Sequence, residues 1–293
     1  MSFSKKHTEF REKNEIVGGT LYLVATPVGN LADLSERAVK VLSEVDFIAA
    51  EDTRNTGLLL SRLGIHKSMV SYFEHNKRER GEMIFRKIES GENAGLVTDA
   101  GMPASSDPGE ELVAQCHERG IPVTVVPGPS AVITALAISG MPTGRFTFEG
   151  FLSVSRRSRK EHLDSLKAEQ RTMVFYEAPH KLPSTLEDML EAWGDRRICL
   201  VRELTKHHEE VIRTTLSVAA ARYREESPRG DFVVIIEGCT PEAAPVATTE
   251  DGARLARTLM EDEGLSPSEA ARRAAAETGL KKGDIYRLLT KGE

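Results

Sequence analysis

The sequence predicts an α/β protein with two α/β domains, the first on a mainly parallel sheet and the second on a mixed one, followed by a small helical tail. Three observations predict it. Short apolar, β-rich runs alternate with helix-period segments from about residue 20 to residue 140, a pattern that gives parallel strands covered on both faces. From about residue 145 several strand-like runs follow one another quickly, which suits a mixed sheet. Beyond residue 249 only helical segments remain. The expected boundaries are a loose extension over 1–18, domains over 19–140 and 141–240, and a helical unit over 249–293.

Each element has its own signal. "TLYLVAT" (20–26) is a buried strand ended by Pro27 and Gly29. In "DLSERAVKVLSEV", Leu34, Ala38, Val41, Leu42 and Val45 share one helix face, and Asp33 is placed to cap its start. "DFIAAED" is a strand, "TRNTGLLLSRLGI" a helix, "MVSYF" a strand, and "HNKRERGEMIFRKIESG" a helix stopped at Gly91. "AGLVTDAG" and "PVTVVPG" are strands, each followed by a helix, "DPGEELVAQCHERG" and "PSAVITALAISG". The second half reads "RFTFEGFL" as strand, 156–169 as a basic helix, "TMVFYEAP" as strand and "KLPSTLEDMLEAWG" as helix. "RRICLVRELT" and "EEVIRTTL" are strands, "SVAAARYREE" a helix and "GDFVVIIEG" a strand. A Pro/Ala/Thr linker (239–252) leads to three helical segments. The last two are joined like a helix-turn-helix, with Ser266 and Pro267 suited to the N-cap and first helical positions.

Composition narrows the function classes. Of 293 residues, 40% are hydrophobic and 29% charged, enough for a substantial core. No apolar run reaches the roughly 18 residues of a membrane span. The polar N-terminus has no secretory h-region, and a cytoplasmic location is expected. Cys116, Cys199 and Cys239 lie too far apart for a zinc cluster or a disulfide framework. A net charge of −6 argues against nonspecific coating of nucleic acid, but leaves room for local basic patches. "SRRSRK" (155–160) has four basic residues and no acid. Residues 265–292 carry six (Arg272, Arg273, Lys281, Lys282, Arg287, Lys291) against three acids. Each reads equally as a solvated helix face or as an RNA contact.

The strand exits are the informative part. "TPVGNL" (26–31), "EDTRNT" (51–56), "TDAGMPASSDPG" (98–109) and "PGPSA" (127–131) all carry Gly, Pro, small hydroxyls or acids. Turn chemistry explains any one of them. Four at one sheet edge point to a ligand site, because open α/β sheets bind ligands beyond the carboxyl ends of their strands. Neither G-x-G-x-x-G nor G-x-x-x-x-G-K-[ST] is present, so a phosphate cradle is poorly supported. Asp99 would repel phosphate and welcome a ribose hydroxyl, an amine or a cationic centre; it also suits a plain capping role. Met102 can pack on an adenine ring or a thioether. A ligand with adenosine, amine and sulfonium, and no phosphate, fits this loop. S-adenosylmethionine is such a ligand.

"LYLVATPVGNLADLSERAVKVLSEVDFIAAEDTRNTGLLLSRLGI", "LVTDAGMPASSDPG", "VVPGPSAVITALAISG", "FYEAPHKL" and "GDFVVIIEG" together resemble the bacterial family of small-subunit (16S) ribosomal RNA cytidine 2′-O-ribose methyltransferases. That family lies within the tetrapyrrole-methylase-like, or class III, superfamily. The resemblance runs from about residue 18 to 291. It implies a homodimeric enzyme that binds S-adenosylmethionine in a cleft between two α/β domains. Carried over residue by residue, the first-strand loop supplies Pro27 and Gly29, the acidic loop Asp99, Met102 and Ser105, and the "PGPSA" turn Ser130 and Ala131. Tyr176, Glu177 and Leu204 would come from the second domain. Tetrapyrrole members carry a "G-x-G-x-G-D" type first loop where this chain has "ATPVGN", a departure that favours the RNA branch.

The implied reaction is an in-line attack of the ribose 2′-oxygen on the sulfonium methyl. Alignment at roughly 3–3.5 Å is the main task, and a base or cation near the weakly acidic hydroxyl would help. "EDTR" offers both: Asp52 or Glu51 can accept the proton, and Arg54 can anchor a phosphate or polarise the oxygen. The same residues can equally form an ion-pair network at a strand end. His180 and Lys181 are secondary candidates. His207 and His208 would point to opposite faces of a strand and make a poor metal site; no metal constellation appears, and none is expected. The RNA target would be single-stranded or splayed, so that its 2′-oxygen reaches a buried methyl. Two other readings stand beside this one: a small-molecule methylase of the porphyrinoid type, and a non-catalytic nucleic-acid binder that senses S-adenosylmethionine.

Overall fold

The computed structural model describes residues 15–240 and 248–290. Most of the expected N-terminal extension, the middle of the expected linker and Lys291 of the basic tail lie outside the described residues. One compact unit runs to Cys239 and holds both sheets; a second begins at Thr240.

The first sheet alternates with helices as the sequence pattern predicts. Its strands are β1 (Leu21–Val24), β2 (Phe47–Ala50), β3 (Ser68–Ser71), β4 (Ala94–Val97) and β5 (Val123–Val126). Between and after them come α1 (Glu36–Glu44), α2 (Thr53–Arg62), α3 (Lys77–Glu89), α4 (Gly109–Glu118) and α5 (Ala131–Ser139). All pairings are parallel, in the order β3-β2-β4-β1-β5. Successive side chains of a strand face opposite sides. Leu21 and Leu23 pack with Phe47, Ala49 and Leu96 beneath α3 and α4, whereas Tyr22 and Val24 pack with Ile48, Ala50 and Val97 beneath α1 and α2.

One expected cap is corrected. Asp33 does not start α1. It ends a short turn over Leu31–Asp33 that Asn30 caps, and Ser35 caps α1 by accepting from the Ala38 amide at 3.1 Å. The extended backbone that an N-cap requires falls at Ser35, two residues later than expected.

The second sheet is mixed. It contains β6 (Phe146–Phe151), β7 (Thr172–Glu177), β8 (Arg197–Arg202), β9 (Glu210–Thr215) and β10 (Phe232–Ile236) in the order β6-β7-β10-β8-β9. Only β6 and β7 run parallel. One face is covered by α6 (Arg156–Ser165), α7 (Leu182–Trp193) and α8 (Leu216–Glu225), through Leu163, Leu186, Met189 and Ala219. The other face takes Val132, Ala135 and Leu136 of α5 against Val174, Val201 and Ile235. Only that face of α5 is covered; Ile133 and Ile138 on its other face are exposed.

The second unit has α9 (Thr249–Glu263), α10 (Pro267–Thr278) and α11 (Lys282–Thr290) around Ala256, Leu259, Ala270, Ala274 and Ile285. Ser266 caps α10 in a reciprocal box with Glu269, and Pro267 takes the first helical position. Among the described residues, no helix is long and apolar enough to cross a membrane.

Candidate active site

Strand order places the opening. The chain leaves β1 across β4 to reach β2, and leaves β4 across β1 to reach β5. Adjacent strands whose connections depart in opposite directions leave a crevice at their carboxyl ends. The two loops that flank it are tied together. Thr26 and Gly101 exchange backbone hydrogen bonds of 2.9 and 3.1 Å, and the Thr26 hydroxyl donates to the Thr98 carbonyl at 3.0 Å.

The loop after β4 is bent beyond what most side chains accept. Gly101 takes φ +85°, and Ala104 and Ser106 take +62° and +70°. A left-handed residue with a Cβ costs roughly 1–2 kcal/mol, so something must hold these in place. Asp107 does so: its carboxylate accepts from the amides of Ala104 (2.9 Å), Ser105 (3.3 Å) and Gly109 (2.8 Å). Burial pushes the Asp107 carboxyl above its ordinary range, against the pull of those amides. Among the described residues the other non-glycine left-handed positions are Glu203 and Thr205, between β8 and β9. Among the described residues these non-glycine left-handed positions fall in two loops, and both border one cavity.

That cavity, about 460 Å³, opens between the carboxyl ends of the first sheet and the strands of the second. Of the residues expected from the sequence, Asp99, Met102, Ser105, Ser130, Ala131, Tyr176, Glu177, Leu204 and Glu51 line it. Pro27 and Gly29 do not; their neighbour Val28 does. Gly29 instead lies against the 204–206 turn, where a Cβ would fall 2.9 Å from the Leu204 carbonyl. Asp52 and Arg54 are outside the wall. Tyr176 and Phe151 form an aromatic corner with ring centroids 5.4 Å apart.

The wall is acidic. Among the described residues, Glu51, Asp99, Asp107, Glu177, Glu203 and Asp231 line it, with Lys206 as its one basic residue. Glu177 is buried and satisfied, accepting from the Thr185 hydroxyl at 2.6 Å and the Ala178 amide at 2.9 Å. Asp99 accepts from the Asn55 side-chain amide at 3.0 Å. Partial burial, followed by the charges of Glu51 and Asp52, raises its carboxyl pKa although Asn55 opposes this. Such a carboxylate is relieved by a cation and penalised by an anion.

The three "EDTR" residues separate. Glu51 accepts from the Thr98 hydroxyl and the Asp99 amide. Asp52 caps α2 through the Arg54 amide at 2.8 Å and pairs with the Arg54 guanidinium at 2.6 Å. Those hydrogen bonds hold its carboxyl down to about 2, which makes Asp52 a feeble base near neutrality. Arg54 is 88% exposed. Neither His180 nor Lys181 lines the cavity. His207 and His208 sit in a turn rather than a strand, their rings 4.9 Å apart edge to face. The chain turns there because Glu203 and Thr205 adopt left-handed conformations just before them. Among the described residues no three His, Cys, Asp or Glu side chains are gathered to hold a metal ion.

The basic stretch 155–160 is more engaged than its composition suggests. Arg159 is buried on Asp188 at 2.6 Å, Lys160 pairs with Glu191 at 2.7 Å, and Arg157 with Glu161 at 2.9 Å. Sequence reading passed over Thr98, Asp107, Phe151, Lys206 and Asp231 as site residues. Asp107 carried a signal, Asp before Pro and Gly at a helix start. Lys206 and Asp231 carried none, since two separate turns of the second sheet bring them together.

Comparison with known proteins adds a family. Residues 20–220 match the model for tetrapyrrole (corrin/porphyrin) methylases. The chain is similar to "Ribosomal RNA small subunit methyltransferase I" of Synechocystis sp., 48% identical over 92% of this chain and 97% of that one. It is 40% identical to the Bacillus subtilis protein of that name, over 96% and 97% of the two chains. The Thermotoga maritima protein of that name is 46% identical over 75% of this chain and 99% of its own. Among solved structures, uroporphyrin-III C-methyltransferase of Thermus thermophilus in complex with S-adenosylhomocysteine superimposes with TM-score 0.53 at 20% identity, covering 74% and 96% of the chains. Diphthine synthase does so with TM-score 0.58 at 12% identity, over 75% and 90%. At such identities these two likenesses speak for the fold alone.

Proposed function

The chain belongs to the tetrapyrrole (corrin/porphyrin) methylase family and, within it, to the small-subunit ribosomal RNA methyltransferases I, and from that premise we propose that it methylates the ribose 2′-oxygen of a cytidine in 16S ribosomal RNA with S-adenosylmethionine as donor. The observation that carries the reading is the acidic, aromatic-cornered cavity at the switch point of the first sheet. It suits adenosine, amine and sulfonium, and it repels a triphosphate. Mass spectrometry of small-subunit RNA from cells with and without the protein tests it. The expected result is a cytidine ribose methyl that disappears with the protein; an unchanged RNA, or a methyl lost from a base, contradicts it.

Asp99 would face the cationic end of the donor, and Met102, Tyr176 and Phe151 would offer its adenosine apolar and aromatic surface. Ser105, Ser130, Ala131, Glu177 and Leu204 would complete the wall, with Pro27 and Gly29 setting the first loop from behind. The bound donor supplies an electrophilic methyl on sulfonium. The chain's own task is to orient the ribose and to accept its proton. Of the two "EDTR" carboxylates, Glu51 is the better acceptor, because it lines the cavity while Asp52 is locked to Arg54. Arg54, extended into solvent, is free at its outer edge to meet a phosphate.

The expected domains, 19–140 and 141–240 closing a cofactor cleft and 249–293 contacting RNA, are part of this proposal. In the last, Arg272, Lys281 and Lys282 are exposed and make no ion pair among the described residues. A homodimer is also proposed, supported by exposed Val125, Ile133 and Ile138 on β5 and α5, and so is a cytoplasmic location, where ribosomes are made. Light scattering of the purified chain tests the dimer. Methyl transfer to a tetrapyrrole precursor with none to RNA would favour the small-molecule reading. Donor binding without transfer to any RNA would favour the sensor.

A further inference from the structure

Among the described residues, Lys206 is the one basic side chain in a wall that otherwise carries six carboxylates. A cavity so lined attracts a sulfonium and repels a polyanion. An RNA strand delivering a ribose to it must bring phosphates close to that wall, so an anchoring cation is needed somewhere at the opening. The 155–160 stretch does not line the cavity: Arg157, Arg159 and Lys160 are paired within their own layer, and exposed Arg156 lies 3.9 Å from Asp188.

We propose that Lys206 anchors the phosphodiester backbone of the substrate RNA at the mouth of the cavity. This inference rests on the RNA reading given above and names a residue for it. The ammonium is held 2.8 Å from Glu203 Oε1 and 3.5 Å from Asp231 Oδ2. Asp231 is 84% exposed, whereas Glu177 at the floor is buried. The ammonium therefore lies at the rim, where a polymer passes, rather than deep in the cavity. Its approach is built: Glu203 and Thr205 take left-handed conformations on either side of Leu204, and the side-chain stem packs against Gly29, which has no room for a Cβ. The two carboxylates act as internal counter-anions that an arriving phosphate displaces, first at the exposed Asp231.

The test uses the full chain and purified small ribosomal subunits that lack the methyl group. Filter binding across a salt series gives RNA affinity, and calorimetry gives S-adenosylmethionine affinity. Lys206→Met is expected to weaken subunit binding about ten-fold and to lower the slope of log K against log salt by about 0.7. Donor affinity should stay the same, and methyl transfer should recover at saturating subunit. Lys206→Arg should retain most of the binding. Asp231→Asn, which leaves Glu203 as the ammonium's carboxylate partner, should tighten binding more in the unaltered chain than in Lys206→Met, a dependence on Lys206 that the mere loss of a repelling carboxylate would not produce. Unchanged subunit affinity in Lys206→Met overturns the proposal. A fall in donor affinity instead would assign Lys206 to the donor's carboxylate and also overturns it. If the unaltered protein transfers no methyl to subunits, the RNA reading itself fails and takes this inference with it. If transfer is normal and only the Lys206 results disagree, the inference alone is lost.

Discussion

Thr26 and Gly101 exchange both backbone hydrogen bonds, an isolated bridge that joins the loop after β1 to the loop after β4. With the Thr26 hydroxyl on the Thr98 carbonyl, three bonds fix the mouth of the crevice before any ligand arrives. Cofactor sites work best when their loops are held in advance, because ordering them on binding costs affinity. Thr26→Val keeps the shape and removes the hydroxyl bond. It should lower stability by about 1 kcal/mol and S-adenosylmethionine affinity several-fold, measured by denaturation and calorimetry. Unchanged affinity would show that the backbone pair alone sets the loops.

Gly29 gives a sharper version of the same test. A Cβ there would meet the Lys206 stem, the Leu204 carbonyl and Thr205 Oγ1, the last two at 2.9 Å. The carbonyl cannot step aside without moving the strained turn. Gly29→Ala should cost about 1–3 kcal/mol in overpacking and displace Lys206 and Leu204 from the cavity wall. Methyl transfer should fall more than thermal stability does; a variant with normal transfer would show that the turn is free to shift.

Arg159 and Asp188 form a buried pair, with side chains 10% and 6% exposed. Removing one partner leaves an uncompensated charge, at about 3–5 kcal/mol. Arg159→Ala should therefore lower stability strongly, while Arg157→Ala, with an exposed partner, should change it by less than about 1 kcal/mol. Denaturant melts of both variants check this. Equal effects would return Arg159 to the role of a surface cation.

The contrast between these arginines shows what the sequence reveals and where it stops. Alternation of β-rich runs with helical periods was enough to place all ten strands of the two sheets to within a few residues, because burial imposes the period locally. The loops after β1 and β4 were legible as a candidate site because Gly, Pro and Asp mark unusual backbone, although Pro27 and Gly29 stay off the cavity wall. "SRRSRK" was not separable into buried and free cations. Arg159 turns inward only because Asp188, far away in the chain, waits on α7. The cap at Ser35 was missed for a smaller reason: Asp33 and Ser35 are both good caps, and a tight turn at Leu31–Asp33 decides between them. Lys206 and Asp231 meet only through the order of the second sheet.

The Asp99 carboxyl has a raised pKa, caused first by burial and then by Glu51 and Asp52. On the proposed reading its ionised form attracts the donor's cationic end, and protonation removes that attraction. Donor affinity should thus be constant near neutrality and decline on acidification, starting above the ordinary aspartate value of 3.8. The raised pKa also means that ionised Asp99 slightly destabilises the ligand-free fold at high pH, the opposite sign to its effect on binding. Calorimetry over a pH series should show the decline in the unaltered protein and a flat profile in Asp99→Asn. A decline that persists in the variant would assign the titration to another group.

The most direct test is a calorimetric comparison of S-adenosylmethionine, its neutral-sulfur product S-adenosylhomocysteine, and ATP on the unaltered chain and on Asp99→Asn, with melts confirming that both fold. Both adenosyl ligands should bind the unaltered chain and ATP should not, and Asp99→Asn should weaken S-adenosylmethionine at least ten-fold, more than it weakens the product. ATP binding in competition with S-adenosylmethionine, or a variant that binds the donor as tightly as the unaltered chain, would contradict the account.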